Sequence, residues 1–127
     1  MYKVALFLVI AAATGCSGGT TKVSTKSAAL EPGEVFWAKN QLAVQTAMPG
    51  VARFQKFEIM ALSNGDRVYC GEMSAVSRAG ISEGFVPFYM RRSAGAVKAV
   101  NTSQDSADFS AKKCAEARSG ALRINKV

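Results

Sequence analysis

The amino-acid sequence predicts a small α+β domain, with an N-terminal helix, an antiparallel β-meander of about four strands and a C-terminal helix. The first observation is the Asn64-Gly65 pair between two apolar runs, which is the strongest short-range signal for a β-hairpin. The second is the near-helical spacing of apolar residues within 33–48. The third is another helical segment, 107–119, which Gly120 ends. A chain of 127 residues accommodates these elements in one domain.

The first helix is predicted over residues 33–48. Pro32 suits the first turn of a helix, and Pro49-Gly50 marks the exit. Val35, Ala38 and Leu42 recur at near-helical spacing and therefore predict a buried face. We expect Trp37, the only tryptophan, to pack against the sheet.

Four strands are predicted after this helix, at residues 54–62, 67–74, 85–92 and 96–101. Residues 77–84 contain two glycines and are predicted to form a loop between the second and third strands. Pro87 cannot donate a hydrogen bond to a neighbouring strand, so we expect it at a sheet edge or at a bulge. The tail, residues 121–127, either adds a short strand or frays.

The first fifteen residues have the pattern of an export signal. A short basic start at Lys3 precedes ten apolar residues, 4–13. As a helix these ten residues span about 15 Å, roughly half of a bilayer core, so a secretory signal fits better than a transmembrane anchor. Residues 16–29 are small and polar, which predicts a flexible tether to a domain over residues 30–127.

The run AATGC, residues 12–16, resembles the lipobox of bacterial lipoproteins. The resemblance implies cleavage just before Cys16 and attachment of a diacylglycerol to its sulfur. It also implies that the finished anchor carries three acyl chains, which suffice for stable membrane attachment. Ser17 resembles the residue that follows the cysteine in lipoproteins sent to the outer membrane, where the domain would face the periplasm. Two alternatives are ordinary signal-peptidase cleavage after Ala13, which gives a soluble secreted protein, and no export.

The chain has three cysteines, and the resemblance changes how they are counted. Lipidation of Cys16 leaves Cys70 and Cys114 as an even pair in an oxidising compartment. We therefore expect a disulfide between Cys70 and Cys114. The alternative is two reduced thiols that are buried independently.

Two further runs resemble segments of a group of small uncharacterised bacterial exported proteins and lipoproteins. MPGVARF, residues 48–54, is similar to the segment that ends the first helix in that group. YCGEMSAVSRAGISEGFVPFYM, residues 69–90, resembles a longer signature with a Cys-Gly pair, a glycine-containing loop and a Gly-aromatic-x-Pro-Phe strand. The resemblance supports the fold and the compartment and implies no activity.

The residue types present argue against an enzyme. The chain contains no histidine, which is the commonest general base and the commonest metal ligand. Its serines lie in no nucleophile elbow, and no pair of its carboxylates can be placed together from the sequence. We therefore predict no catalytic residue, no metal site and no cofactor.

Basic residues outnumber acidic ones by sixteen to nine, which gives a formal net charge of +7. Loss of Lys3 with the signal would lower this to +6, since 7 − 1 = 6. In a cell envelope such a charge can meet anionic lipid headgroups, anionic polymers or an acidic protein. The alternative is a solvated surface that only keeps the domain soluble. We expect no nucleic-acid partner, because an exported domain rarely meets one.

The candidate binding residues are a basic face and the 77–84 loop, which contribute Arg78, Glu83, Arg91, Arg92 and Lys98. The sequence thus predicts a lipoprotein with a non-enzymatic binding or structural accessory role in the cell envelope. The alternative is an inhibitor, immunity or exclusion protein that blocks an envelope enzyme or an incoming secretion or conjugation apparatus.

Overall fold

The computed structural model describes residues 20–125, except for the side chain of Glu83. The predicted signal, residues 1–15, and Cys16 lie outside this range. Six strands form an antiparallel sheet in the order β5-β4-β3-β2-β1-β6, and two helices pack on it. Short 3₁₀ turns at Pro49–Val51 and Gln104–Ser106 precede β2 and α2. The elements are β1 (Thr20–Ser27), α1 (Glu34–Ala43), β2 (Arg53–Leu62), β3 (Arg67–Val76), β4 (Ser82–Ser93), β5 (Ala96–Asn101), α2 (Ala107–Arg118) and β6 (Ala121–Asn125).

The α+β class is confirmed, with six strands rather than about four. β1 was not predicted, so α1 is not the first element of the described chain, and of the two alternatives for the tail the strand is the one that forms. β1 occupies most of the segment that was expected to be a flexible tether, and the tail forms β6. β1 shows little hydrophobic signal because Val23 is its only buried apolar side chain. It pairs with β2 on one side and β6 on the other, so backbone hydrogen bonds rather than side-chain burial define the strand.

The β2–β3 hairpin forms around Asn64-Gly65 as predicted, with a different turn. A type I′ turn would need positive φ at both residues, whereas only Gly65 has it, at 93°. The side-chain oxygen of Asn64 accepts a hydrogen bond from the backbone N–H of Asp66 at 3.0 Å. The Leu62 N–H donates to the Asp66 carbonyl at 2.8 Å and closes the loop.

α1 ends at Ala43, before the predicted end at Met48. Gln45 and Thr46 donate to the carbonyls of Leu42 and Ala43, which are i to i−3 bonds that tighten the last turn. The Thr46 hydroxyl also donates to the Ala43 carbonyl at 2.7 Å. This side-chain bond competes with continuation of the helix and explains the earlier end.

Each face of the central strands is covered by one helix. α2 packs over a cluster that includes Val68, Cys70 and Tyr89. α1 packs over the opposite cluster, which includes Tyr69, Met73, Phe88 and Met90. Trp37 packs on the sheet as predicted, with its ring centroid 6.0 Å from that of Tyr69. Neither of the two helices within residues 20–125 is long and apolar enough to cross a membrane.

The sheet is irregular where β2, β3 and β4 meet near Gly71. β2 has a bulge between Gln55 and Glu58. Gly71 has φ 152°, and a Cβ there would lie 2.9 Å from the carbonyl oxygens of Gln55 and Lys56. Only glycine allows this close approach. The pairing of β4 with β5 begins at Tyr89, and Pro87 lies before it. At Pro87 the β5 side of β4 is therefore a sheet edge, as predicted for a residue without a backbone N–H.

Candidate functional site

Arg91 is buried and does not belong to an exposed basic face. It is 7% exposed, and its Nη1 lies 2.6 Å from the Oδ2 of Asp66, which is 6% exposed. This pair ties the end of β4 to the β2–β3 turn. A charged side chain that is buried and already ion-paired is not accessible to a partner at the surface. Arg91 therefore lies in a buried ion pair rather than on an exposed face, and a binding role for it stays a prediction.

Arg92 follows Arg91 on β4 and lies on the opposite face of the sheet. Its Nη2 is 3.0 Å from Glu31 and 3.7 Å from Glu34, and its guanidinium lies 5.3 Å from the ring centroid of Trp37. Through these contacts, the Arg92 side chain holds the start of α1 against β4. Arg92 is thus paired with carboxylates at the start of α1, and a binding role for it stays a prediction.

Glu34, at the start of α1, is a buried carboxylate with several donors around it. It is 2% exposed, and it accepts hydrogen bonds from Arg67, at 2.6 Å to Oε1, and from the Tyr69 hydroxyl, at 2.7 Å to Oε2. Burial alone raises the pKa of Glu34, but the hydrogen bonds from Arg67 and Tyr69 outweigh it, so the pKa lies below its ordinary 4.5. Burial also raises the pKa of the Tyr69 phenol, and its bond to Glu34 adds to the rise.

Because the pKa of Glu34 is depressed, the free energy of unfolding depends on pH in the acidic range. Because the folded-state pKa lies below the ordinary 4.5, the stabilisation is present above that pH and is lost as pH falls through the folded-state value. We expect the urea midpoint of the protein to fall as the pH is lowered below about 4.5, and Glu34→Gln to remove this share of the acid sensitivity. Equal slopes of urea midpoint against pH for both proteins would contradict the assignment.

The remaining predicted binding residues do not form one site. Lys98 is exposed and lines a pocket with Asp66 and Arg91, near the end of β4. Arg78 is exposed in the turn before β4, at the opposite end of that strand. The side chain of Glu83 lies outside what the structure describes. The 77–84 loop does present Ile81, which is 63% exposed.

Several cations line a groove of about 750 Å³ between α2 and the β1–β6 edge of the sheet. We call it the basic groove. Its charged lining comprises four cations and one carboxylate, and its uncharged lining residues are Thr20, Phe109, Ser119 and Ala121. The charged residues are Lys22, Lys112, Lys113, Glu116 and Arg123.

Strand register explains why these charges meet. Lys22 of β1 lies directly opposite Arg123 of β6 in the antiparallel ladder. The Lys113 ammonium of α2 donates to the Arg123 carbonyl, lies 3.7 Å from Glu116 and is 5.8 Å from the Phe109 ring centroid. The sequence interpretation missed this site because it placed Lys22 in a tether and left residues 121–127 open. The available signal was the alternation of side chains in TTKVSTKS and ALRIN, which is typical of strands.

Cys70 on β3 and Cys114 on α2 are paired across the core. Their Cα atoms lie 5.8 Å apart, within the range that disulfides use, and the sulfurs are at bonding distance. Both residues are buried, at 0% and 2% exposure. The link fastens α2 to the centre of the sheet and closes a loop with a sequence separation of 44.

Buried polar groups between residues 20 and 125 are satisfied within the fold. Each buried side-chain nitrogen or oxygen there has a hydrogen-bond partner. No group of three or more potential metal ligands occurs in this part of the chain.

Comparisons with protein-family models, curated proteins and solved structures find no match to the chain. The functional assignment therefore depends on the residues of this chain alone.

Proposed function

We propose that the protein is a lipoprotein of the outer membrane, anchored through a lipid on Cys16, with its α+β domain facing the periplasm. Its role is non-enzymatic: it binds or supports a component of the cell envelope. The anchor confines the domain to a surface, which raises its effective concentration near partners, so that weak contacts suffice.

The observation that carries the proposal is the pairing of Cys70 with Cys114. Disulfides persist in oxidising compartments such as the bacterial periplasm and are rare in the cytosol. The pair accounts for two of the three cysteines and leaves Cys16, in its lipobox-like run, for another chemistry. Export and lipidation together therefore account for all three.

The buried ionisable groups support a binding role over a catalytic one. Glu34 and Asp66 are each held by an arginine, and their contacts fix α1 and the β2–β3 turn to the sheet. A general acid or base needs to reach a substrate, whereas these groups are enclosed by their partners. The exposed basic groove instead offers a surface for an anionic partner.

A mass spectrum of the protein isolated from its native membrane tests the anchor and the disulfide together. We expect a chain that begins at Cys16, carries the mass of acyl chains and lacks one hydrogen on each of Cys70 and Cys114. Cys16→Ser should abolish the acyl mass and, in membranes washed with high salt, the membrane fraction, while leaving the Cys70–Cys114 link intact. An unprocessed or reduced wild-type chain would overturn the proposal.

In-cell crosslinking followed by purification tests the role of the domain. An accessory protein should co-purify with resident envelope components in cells that carry no foreign apparatus. An inhibitor, immunity or exclusion protein should capture a partner only when the foreign enzyme or the incoming apparatus is present. The second result would replace the accessory role with the alternative function.

A further inference from the structure

We propose that the basic groove binds the anionic phosphate headgroups of the membrane that holds Cys16, so that the domain lies against the bilayer. The inference rests on the lipid anchor proposed above and specifies which surface faces the membrane. It also replaces the expectation that a long tether holds the domain away from the bilayer.

The first argument is the length of chain between the anchor and the sheet. β1 begins at Thr20, so three residues separate it from Cys16. Fully extended, the chain from Cys16 to Thr20 spans at most about 14 Å, since a residue covers at most about 3.6 Å. Thr20 and Lys22 themselves line the basic groove. An anchored domain therefore holds the basic groove within a short distance of the headgroups.

The second argument is electrostatic. The groove carries four cations against a single carboxylate, Glu116, and Lys22, Lys112 and Arg123 are exposed. Lys22 and Arg123 face each other across adjacent strands, an arrangement of like charges that destabilises a sheet. An anionic surface relieves this repulsion because its charges lie between and beside the two cations. Exposed cations spread along a groove suit a layer of headgroups better than one enclosed ion.

The third argument is the aromatic residue beside the cations. Phe109 is 46% exposed at the rim of the groove, and its ring stacks edge-to-face on Tyr89 with centroids 6.2 Å apart. A ring held in this way is rigid and presents an apolar surface next to Lys113. Aromatic side chains beside basic ones are typical of surfaces that contact the membrane interface.

The test measures flotation of the full-length Cys16→Ser chain, which cannot be lipidated, with two kinds of vesicle. One contains phosphatidylcholine alone, and the other contains equal amounts of phosphatidylcholine and phosphatidylglycerol. We expect additional binding to the phosphatidylglycerol vesicles that weakens steeply between about 0.05 M and about 0.5 M NaCl. Lys22→Glu with Arg123→Glu should reduce this additional binding by at least about tenfold.

The matched control is Arg53→Glu with Lys56→Glu, which makes the same change in net charge at exposed cations outside the groove. It should keep the additional binding within about twofold. Lys112→Glu, on the exposed surface of α2, repeats the groove test without altering a strand and should weaken binding more than Arg53→Glu alone. Equal losses in the groove and control variants would overturn the proposal, as would unchanged binding of the groove variants. Displacement by inorganic phosphate at constant ionic strength would also overturn it, because it would indicate a site for a small ion.

The vesicle assay is independent of the anchor. It uses a chain without Cys16, so failure to bind phosphatidylglycerol leaves the acyl mass of the native protein unaffected. Conversely, absence of an acyl mass on Cys16 would overturn the proposed function whatever the vesicle assay shows.

Discussion

Replacing both Cys70 and Cys114 with alanine is expected to lower the free energy of unfolding by about 4 kcal/mol. A loop with a sequence separation of 44 restricts the unfolded chain strongly, and most of the stabilisation comes from that restriction. For a domain of this size, 4 kcal/mol is a large fraction of an ordinary total of about 5–10 kcal/mol. Urea unfolding of the oxidised wild-type protein and the variant measures the difference.

Reduction of the wild-type protein gives the matched control for this variant. It opens the link while keeping both sulfur atoms in the core, so no space is left as it is by alanine. We expect reductant to lower the urea midpoint of the wild-type protein and to leave the variant unchanged. A wild-type midpoint that does not respond to reductant would show that the pair contributes nothing to stability.

Arg91→Met is expected to lower the free energy of unfolding by about 3 kcal/mol, because it leaves the Asp66 carboxylate buried without its guanidinium. Methionine keeps the aliphatic part of the side chain, so the loss reports mainly on the charge. Asn64 also reaches Asp66, at 3.3 Å, but an amide cannot neutralise the carboxylate. Chemical denaturation at neutral pH measures the effect.

Arg118→Met provides the control, because it removes the same charge from a pair that is largely exposed. Arg118 and Glu58 lie 2.7 Å apart with side chains 47% and 42% exposed. Exposed pairs contribute at most about 1 kcal/mol, so this variant should remain close to wild type. Similar losses in the two variants would show that burial does not set the strength of the Arg91–Asp66 pair.

The parts of the fold that the sequence predicts are those with strong local signals. The hairpin at Asn64-Gly65, the strands on either side of it and the helix that Gly120 ends all have such signals. In β3 and β4 the side chains are buried on both faces of the sheet, which gives continuous apolar runs that are easy to recognise.

β1 escaped prediction, and β6 was left as one of two alternatives for the tail, because the pairing of these strands is long-range. β1 buries a single apolar side chain, Val23, and β6 has only five residues although it buries Leu122 and Ile124. Both strands depend on backbone bonds to a strand distant in sequence. The basic groove was not predicted for the same reason. Lys22 and Arg123 come together only through this pairing, whereas Arg91 and Arg92 are adjacent in sequence but are separated by the sheet. Arg91 is buried together with its partner Asp66, and the β2–β3 hairpin places Asp66 there. The charges near Arg91 in the sequence do not indicate this pair.

The insertion of β1 between β2 and β6 has a consequence for how the molecule is made. Thr20 pairs with Asn125, so the first and last described segments are neighbours in the sheet. Contacts between such distant segments close late, because the chain entropy they remove is large. The sheet therefore cannot be completed until residues 121–125 have been synthesised, and truncation before residue 121 would leave β1 with an open hydrogen-bonding edge.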